Sequence, residues 1–261
     1  MKQIILVILA LPLILSSCSG QKTSSYIVEE HPLQSGDNKI FGLLYRPEGV
    51  RNAPLVVVSH GFGANHKSGI PYAEALAPLG YAVYIYDFPG GCREGRSEGK
   101  TTEMSIFSEA EDLKAVVSAL QEEDGISEEP VILIGESQGG MVSALVASEL
   151  QEKVGKLILV YPALCIKDDW VSKYGSVEDM PEELDFWGMH LGRAYLAGLY
   201  DLDVYPTISR YKGPVAIFHG DDDRVVNLSY SEKAVEAYGN ATLTVLPGEG
   251  HGFSAEGQAS V

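Results

Sequence analysis

Ser137 stands inside Gly135-Glu136-Ser137-Gln138-Gly139, directly after the apolar run Val131 to Ile134 and just ahead of a helix-like segment, Gly139 to Leu150. Strand, sharp turn and helix in that order form a nucleophile elbow, which lifts the serine hydroxyl out at the carboxyl end of a strand and aims a helix amino terminus at it. Glycine two residues before and two residues after the serine suits a strained backbone and closely approaching neighbours. A serine hydroxyl is a weak nucleophile until a base takes its proton, and the base works best when a carboxylate orients it.

The chain supplies both groups downstream of Ser137. Of six histidines, His31 lies near the amino terminus, His66 in a polar loop, His190 in an insert, and His219 at a strand end where it reads as a packing residue. His251 follows the strand Ala241 to Leu246 and sits between Gly250 and Gly252, in a loop able to bring an imidazole over the elbow. His251 is the candidate base. The candidate acids are Asp221, Asp222 and Asp223, adjacent to one another after the buried strand Val215 to His219. Asp221 is expected to cap the turn through the amide two residues on. Asp87 also ends an apolar strand, Tyr81 to Tyr86, but precedes the nucleophile and reads as a loop-organising residue.

The elements that must position these groups alternate along the chain. Strands are expected near Ile40–Tyr45, Leu55–Ser59, Tyr81–Tyr86, Val131–Ile134, Lys156–Tyr161, Val215–His219 and Ala241–Leu246, and helices near Tyr72–Leu79, Ser105–Glu122, Gly139–Leu150 and Ser229–Tyr238. Such alternation implies a mostly parallel sheet covered on both faces, with the site at the carboxyl ends of the strands. An insert of about residues 163–204 breaks the pattern and carries Trp170, Tyr174, Phe186, Trp187, Met189, Tyr195 and Tyr200. It reads as a lid that helps wall a substrate pocket.

Four blocks between residues 54 and 253 resemble the α/β-hydrolase superfamily, and a 26–261 domain of that fold is the expectation. The elbow is one. A second, His219-Gly220-Asp221-Asp222-Asp223-Arg224-Val225-Val226, is similar to the family's acid loop, in which the carboxylate lies three residues after the glycine; the resemblance selects Asp223. His251 completes the chain order Ser, Asp, His. The fourth block, His60-Gly61-Phe62-Gly63, resembles the loop that presents one backbone N–H to the developing oxyanion, the other coming from the residue after the nucleophile. Those donors are Phe62 and Gln138.

Within the superfamily the likeness is to cinnamoyl and feruloyl esterases with a small inserted lid, carried by His60 to Asn65, Gly135 to Gly140, and Met180 to Trp187. It implies a serine esterase acting through an acyl-enzyme on hydroxycinnamoyl or similar acyl groups borne by carbohydrate, with no cofactor. It further implies that a lid carboxylate, Asp169 or alternatively Asp168, contacts a phenolic hydroxyl. Trp170, Phe186 and Trp187 are candidates for the pocket wall. Other readings are a general carboxylesterase or lipase-like enzyme, a peptidase of the same fold, and a non-catalytic binding protein on the scaffold. The sequence departs from the family at Glu136, where many relatives carry His, and in a longer loop from Asp87 to Gly99. It also ends ten residues after His251, where relatives add a closing helix.

Met1-Lys2-Gln3 followed by the apolar stretch Ile4 to Leu15 has the proportions of a secretory signal and is too short to span a bilayer. Its end, Leu15-Ser16-Ser17-Cys18, resembles a bacterial lipobox, which implies a signal peptide of residues 1–17, an acylated Cys18 and a tether of residues 18–25. The expectation is a lipid-anchored protein of the bacterial cell envelope, periplasmic or surface-exposed. The formal charge of −17 argues against nucleic acid and polyanionic substrates and leaves a neutral small-molecule or carbohydrate ester. No His, Cys, Asp or Glu cluster has metal-ligand spacing. Cys92 and Cys165 are expected as two thiols, a disulfide being the alternative.

Overall fold

The computed structural model describes residues 25–261. The expected signal peptide and Cys18 lie outside the described residues, as does all of the tether except Ser25. Among the described residues, no helix is long and apolar enough to cross a membrane.

Strands β1 (Tyr26–Glu30), β2 (Leu33–Ser35), β3 (Asn38–Ile40) and β4 (Gly42–Pro47) open the fold, followed by β5 (Leu55–Ser59), α1 (Ile70–Leu76), β6 (Ala82–Tyr86) and α2 (Ile106–Gln121). Then come β7 (Val131–Glu136), α3 (Ser137–Leu150), β8 (Val154–Val160) and α4 (Ile166–Lys173). The remainder is β9 (Glu183–Phe186), β10 (Met189–Gly192), α5 (Val204–Ile208), β11 (Val215–Gly220), α6 (Ser229–Tyr238), β12 (Ala241–Leu246) and α7 (Ala255–Gln258). The main sheet has eight strands in the order β1-β4-β6-β5-β7-β8-β11-β12. The β1–β4 and β4–β6 pairs are antiparallel and every other pair is parallel. This is the α/β-hydrolase fold expected from the sequence.

β5 and β6 are buried along their whole length, which is why they read as unbroken apolar runs rather than alternating ones. One face of the sheet packs against α2, α3 and the insert, through Leu113, Val117, Met141, Leu145, Trp170 and Tyr195 among others. The opposite face packs Val56, Val58, Val83 and Ile85 against Tyr72, Ala73 and Ala77. α2 starts at a reciprocal cap in which the Ser105 hydroxyl accepts from the Ser108 N–H and the Ser108 hydroxyl from the Ser105 N–H.

The expected helix Tyr72–Leu79 begins earlier, with Pro71 in its first turn, and ends in a 3-10 turn over Ala77–Leu79 that closes on Gly80 at φ 97°. Between β8 and β11 the chain forms α4 and then an antiparallel hairpin of β9 and β10 with Trp187 and Gly188 at its tip. Both residues have positive φ. Cys92 and Cys165 are free thiols.

Candidate active site

β7 delivers Ser137 to the sheet's carboxyl edge, and α3 starts at that residue with no intervening loop. Such an abrupt reversal forces Ser137 to φ 49°, in the left-handed region that a side chain rarely occupies. The two flanking glycines are required for a different reason. A Cβ on Gly135 would lie 2.3 Å from Gly139 O, and one on Gly139 would lie 2.4 Å from both Ser59 O and His60 O. The elbow is thus wedged against the end of β5, and the strain falls on the serine itself.

His251 Nε2 is 2.9 Å from Ser137 Oγ, and His251 Nδ1 is 2.8 Å from Asp223 Oδ2. A carboxylate can only accept, so Nδ1 carries the proton and Nε2 accepts from the serine hydroxyl. The Asp223 side chain is fully buried, whereas that of His251 keeps some exposure. Burial alone would raise the Asp223 pKa. Hydrogen bonds from His219, His251 and the N–H groups of Val226 and Val225 outweigh it and hold this carboxyl far below the usual range. Asp222, by contrast, is exposed and pairs with Arg224.

Two expectations for this loop need correction. Asp221 does not cap its own turn: its Oδ1 accepts from the Gly248 N–H at 2.6 Å, tying the acid loop to the loop that carries His251. The turn is held instead by Asp223, whose Oδ1 accepts from Val225 N and Val226 N at 2.8 and 2.9 Å. Nor is His219 merely a packing residue. Its Nε2 lies 2.9 Å from Val226 O and 3.2 Å from Asp223 Oδ2, while Nδ1 meets Ser231 Oγ at 2.7 Å. A buried histidine at the start of the loop thereby donates to the same carboxylate oxygen as His251. The position of His219 four residues before Asp223 was the available signal.

The loop after β5 brings Gly61 against the elbow, since a Cβ there would lie 3.1 Å from Ser137 Cβ. His60 shapes this loop. Its Nε2 accepts from Phe88 N at 3.0 Å, so Nδ1 is protonated and donates to Gly61 O at 2.8 Å. Burial lowers the His60 pKa to about 4 and keeps the ring neutral. Among the described residues, no backbone carbonyl engages the Phe62 N–H. Gln138 N–H lies in the first turn of α3, where the helix supplies no partner. The Gln138 side chain is fixed separately: Nε2 donates to Glu109 at 2.8 Å and Oε1 accepts from Tyr195 at 2.7 Å. Burial raises the Glu109 pKa to about 8, partly offset by the Gln138 bond. Asp87 does organise a loop, accepting from His66 N, His66 Nδ1 and Arg96 N, each at 2.7 Å.

A cavity of about 290 Å³ opens beside Ser137 and is lined by Phe62, Gln138, Asp169, Trp170, Phe186, Trp187 and Tyr195. The phenol-contact candidate Asp169 and the wall candidates Trp170, Phe186 and Trp187 all reach it, whereas Tyr174, Met189 and Tyr200 do not line it. Phe186 and Trp187 stack with ring centres 4.9 Å apart, and Trp170 meets Phe186 at 4.8 Å. Asp168 turns elsewhere, accepting from Tyr230 OH at 3.1 Å. A second cavity, of about 340 Å³, meets the first at Phe62, Ser137 and Trp187 and is lined further by Arg93, Glu136, Tyr161 and His251. Glu136 accepts from Tyr72 OH at 2.9 Å, and burial raises its pKa. A larger open hollow of about 960 Å³ between Asn52 and Pro130 holds none of these groups. Among the described residues, no cluster of metal-ligating side chains occurs.

The pattern of the family described as "Serine aminopeptidase, S33" matches residues 51–193. The structure of Est1E from Butyrivibrio proteoclasticus with ferulic acid bound superposes with a TM-score of 0.80 and 25% identity, covering 88% of this chain and 94% of that one. Monoglyceride lipase of Rattus norvegicus is 31% identical over 135 residues, 51% of this chain and 43% of the lipase. The putative carbamate hydrolase RutD of Caulobacter sp. (strain K31) is 23% identical over 259 residues, covering 85% of this chain and 92% of its own length. The chain spans less than half the length of the first curated relatives it matches.

Proposed function

The chain belongs to the serine aminopeptidase S33 family of α/β-hydrolases, and from that premise we propose that it is a serine esterase working through an acyl-enzyme on esters of hydroxycinnamic or similar aromatic acids. One observation carries the reading: the hydrogen-bonded series Ser137, His251, Asp223 opens onto a cavity walled by Trp170, Phe186 and Trp187. Ser137 Oγ attacks the ester carbonyl carbon as His251 Nε2 takes its proton. The tetrahedral oxyanion lies against the N–H groups of Phe62 and Gln138, and losing one such donor typically costs about 3 kcal/mol. His251 then gives the proton to the leaving alkoxide, the alcohol departs, and water repeats the sequence to release the acid. Asp223 keeps the imidazole in the required tautomer and stabilises its protonated form.

The acyl ring stacks within the aromatic wall, and Asp169 accepts from a phenolic hydroxyl. The alcohol is a carbohydrate or a similar small molecule. Acylation of Cys18 anchors the enzyme at a membrane of the bacterial envelope, periplasmic or surface-exposed, and the remaining chain works in the adjoining aqueous phase. A second reading, aminopeptidase, is favoured by the family description and by the Asp169 carboxylate, which would pair with an α-ammonium group.

A panel of acetate, butyrate, octanoate and ferulate esters with one peptide amide tests these readings. Ring stacking and a charged hydrogen bond together make kcat/KM for methyl ferulate at least about tenfold above that for an aliphatic ester of comparable size. Asp169→Ala erodes the advantage for phenolic acids and spares unsubstituted cinnamate, and Ser137→Ala abolishes turnover and fluorophosphonate labelling. A clear win for octanoate or acetate makes the insert a general apolar wall; a win for the amide makes the protein a peptidase. Labelling of the alanine variant at the wild-type rate removes Ser137 from the mechanism.

A further inference from the structure

Arg93 sits where the loop after β5, the tip of the β9–β10 hairpin and the second cavity meet. Its N–H donates to Gly63 O at 3.2 Å, and its Nε donates to Trp187 O at 2.8 Å. A Cβ on Gly63 would lie 3.2 Å from Arg93 Cγ and Nε, so the stem of the arginine lies flat against that loop. Stem and Nε are thus both held, which aims an otherwise exposed guanidinium along the rim of the cavity. Its two terminal amino groups have no hydrogen-bond partner among the described residues, and no carboxylate pairs with it. Arg46, Arg96 and Arg224 each pair with a carboxylate, whereas Arg51, Arg193 and Arg210, like Arg93, do not among the described residues. What sets Arg93 apart is its place beside Ser137 and His251, lining the cavity of about 340 Å³ that they share.

The aromatic cavity accounts for the acyl half of an ester, and the second cavity, on the side of His251, remains for the alcohol half. We infer that the alcohol carries a carboxylate and that Arg93 binds it, which rests on the esterase reading above. A guanidinium presents paired N–H donors matched to a carboxylate, and the free amino groups supply them. The protein's overall negative charge is screened beyond roughly 10 Å at 0.1 M salt, so it opposes a polyanion far more than one carboxylate paired with a neighbouring guanidinium. Glu136 lines the same cavity, but its carboxyl is buried and already bonded to Tyr72, and burial favours its neutral form. On turnover the hydroxy acid leaves with the proton from His251, and the acyl group stays on Ser137 until water releases it.

The test uses three esters of one acid, the acid that ranks first in the panel above: those of 3-hydroxypropanoate, 1,3-propanediol and 3-hydroxypropyl phosphate. The readout is the ratio of kcat/KM for the carboxylate ester to that for the neutral ester, compared between wild type and Arg93→Gln. This double ratio cancels intrinsic ester reactivity and any loosening of the hairpin at Trp187. It is expected to fall about tenfold in Arg93→Gln, as loss of one charged hydrogen bond implies, and only partly in Arg93→Lys. An unchanged ratio overturns the inference while hydrolysis of the neutral ester leaves the esterase reading intact. A larger Arg93-dependent ratio for the phosphate ester overturns the carboxylate in favour of phosphate. No hydrolysis of any of the three overturns both.

Discussion

Replacing Asp223 by Asn changes one oxygen to an amino group in a fully bonded site, so its consequence can be followed atom by atom. The amide oxygen takes the place of Oδ1 and goes on accepting from Val225 N and Val226 N, which preserves the turn. The amino group then faces His251 Nδ1 and His219 Nε2, which lie 2.8 and 3.2 Å from Oδ2. His219 keeps a partner for its proton in Val226 O. His251 does not: its Nδ1 must now accept, which drives the ring proton to Nε2, the atom 2.9 Å from Ser137 Oγ. A base already protonated at that atom cannot take the serine proton. Loss of the correct tautomer costs about 10⁴ in kcat in sites of this geometry, or roughly 5.5 kcal/mol at 1.36 kcal/mol per decade. Steady-state kcat on an aryl ester and the rate of fluorophosphonate labelling should fall together, with the thermal transition little moved. Retention of more than about a tenth of wild-type kcat would refute the reasoning. So would a greater loss in Asp222→Asn, because that side chain is exposed and its ion pair is worth about 0–1 kcal/mol at most.

Gly139→Ala drives a methyl group to 2.4 Å from two backbone oxygens at the end of β5. Overpacking of that kind costs about 1–3 kcal/mol, and calorimetry should show Tm lowered by about 2–4 °C per kcal/mol; an unchanged Tm would mean the elbow is not wedged there. Glu109, with its pKa raised to about 8, is neutral in the folded protein at pH 7 and ionised in the unfolded chain. Its stabilising contribution is therefore complete below the ordinary carboxylate pKa and is lost as pH rises towards 8. Chemical denaturation of Glu109→Gln between pH 5 and 8.5 should show a flatter profile by on the order of 2–4 kcal/mol, and a profile parallel to wild type would contradict it. Cys18→Ser should move the protein from the membrane fraction to the soluble one, since an unacylated tether has no anchor; unchanged fractionation, with no lipid on the amino-terminal peptide, would dispose of the anchor.

The parts of this fold that were legible in the sequence are those whose cause is local. β5, a buried apolar run, lies at the residues expected, as do β12 and α6, because strand and helix patterns are written in consecutive residues. The residues chosen for the nucleophile, base and acid also meet in space, since each stands at a strand exit. Illegible were the bonds between distant segments. Nothing near Asp221 in the chain points to Gly248, nothing near Gln138 points to Glu109 and Tyr195, and nothing near Arg93 points to the carbonyl of Trp187. The hairpin of β9 and β10 was hidden as well. Its strands are only four residues long and half exposed on one side, too short for alternation to stand out.

The order of strands places the reacting groups very unequally within the sheet. Ser137 follows β7, which has a neighbour on each side, but His251 follows β12, the outermost strand, and Asp223 follows β11 just inside it. Edge strands detach from a native protein at lower free energy than central ones, in sub-global openings that leave the rest intact. Release of β12 from β11 would carry away the imidazole and break the Asp221–Gly248 lace while the elbow stayed folded. Heating or mild denaturant should therefore silence turnover before the bulk of the sheet melts. The same opening leaves a serine held in its strained turn with no base to use it.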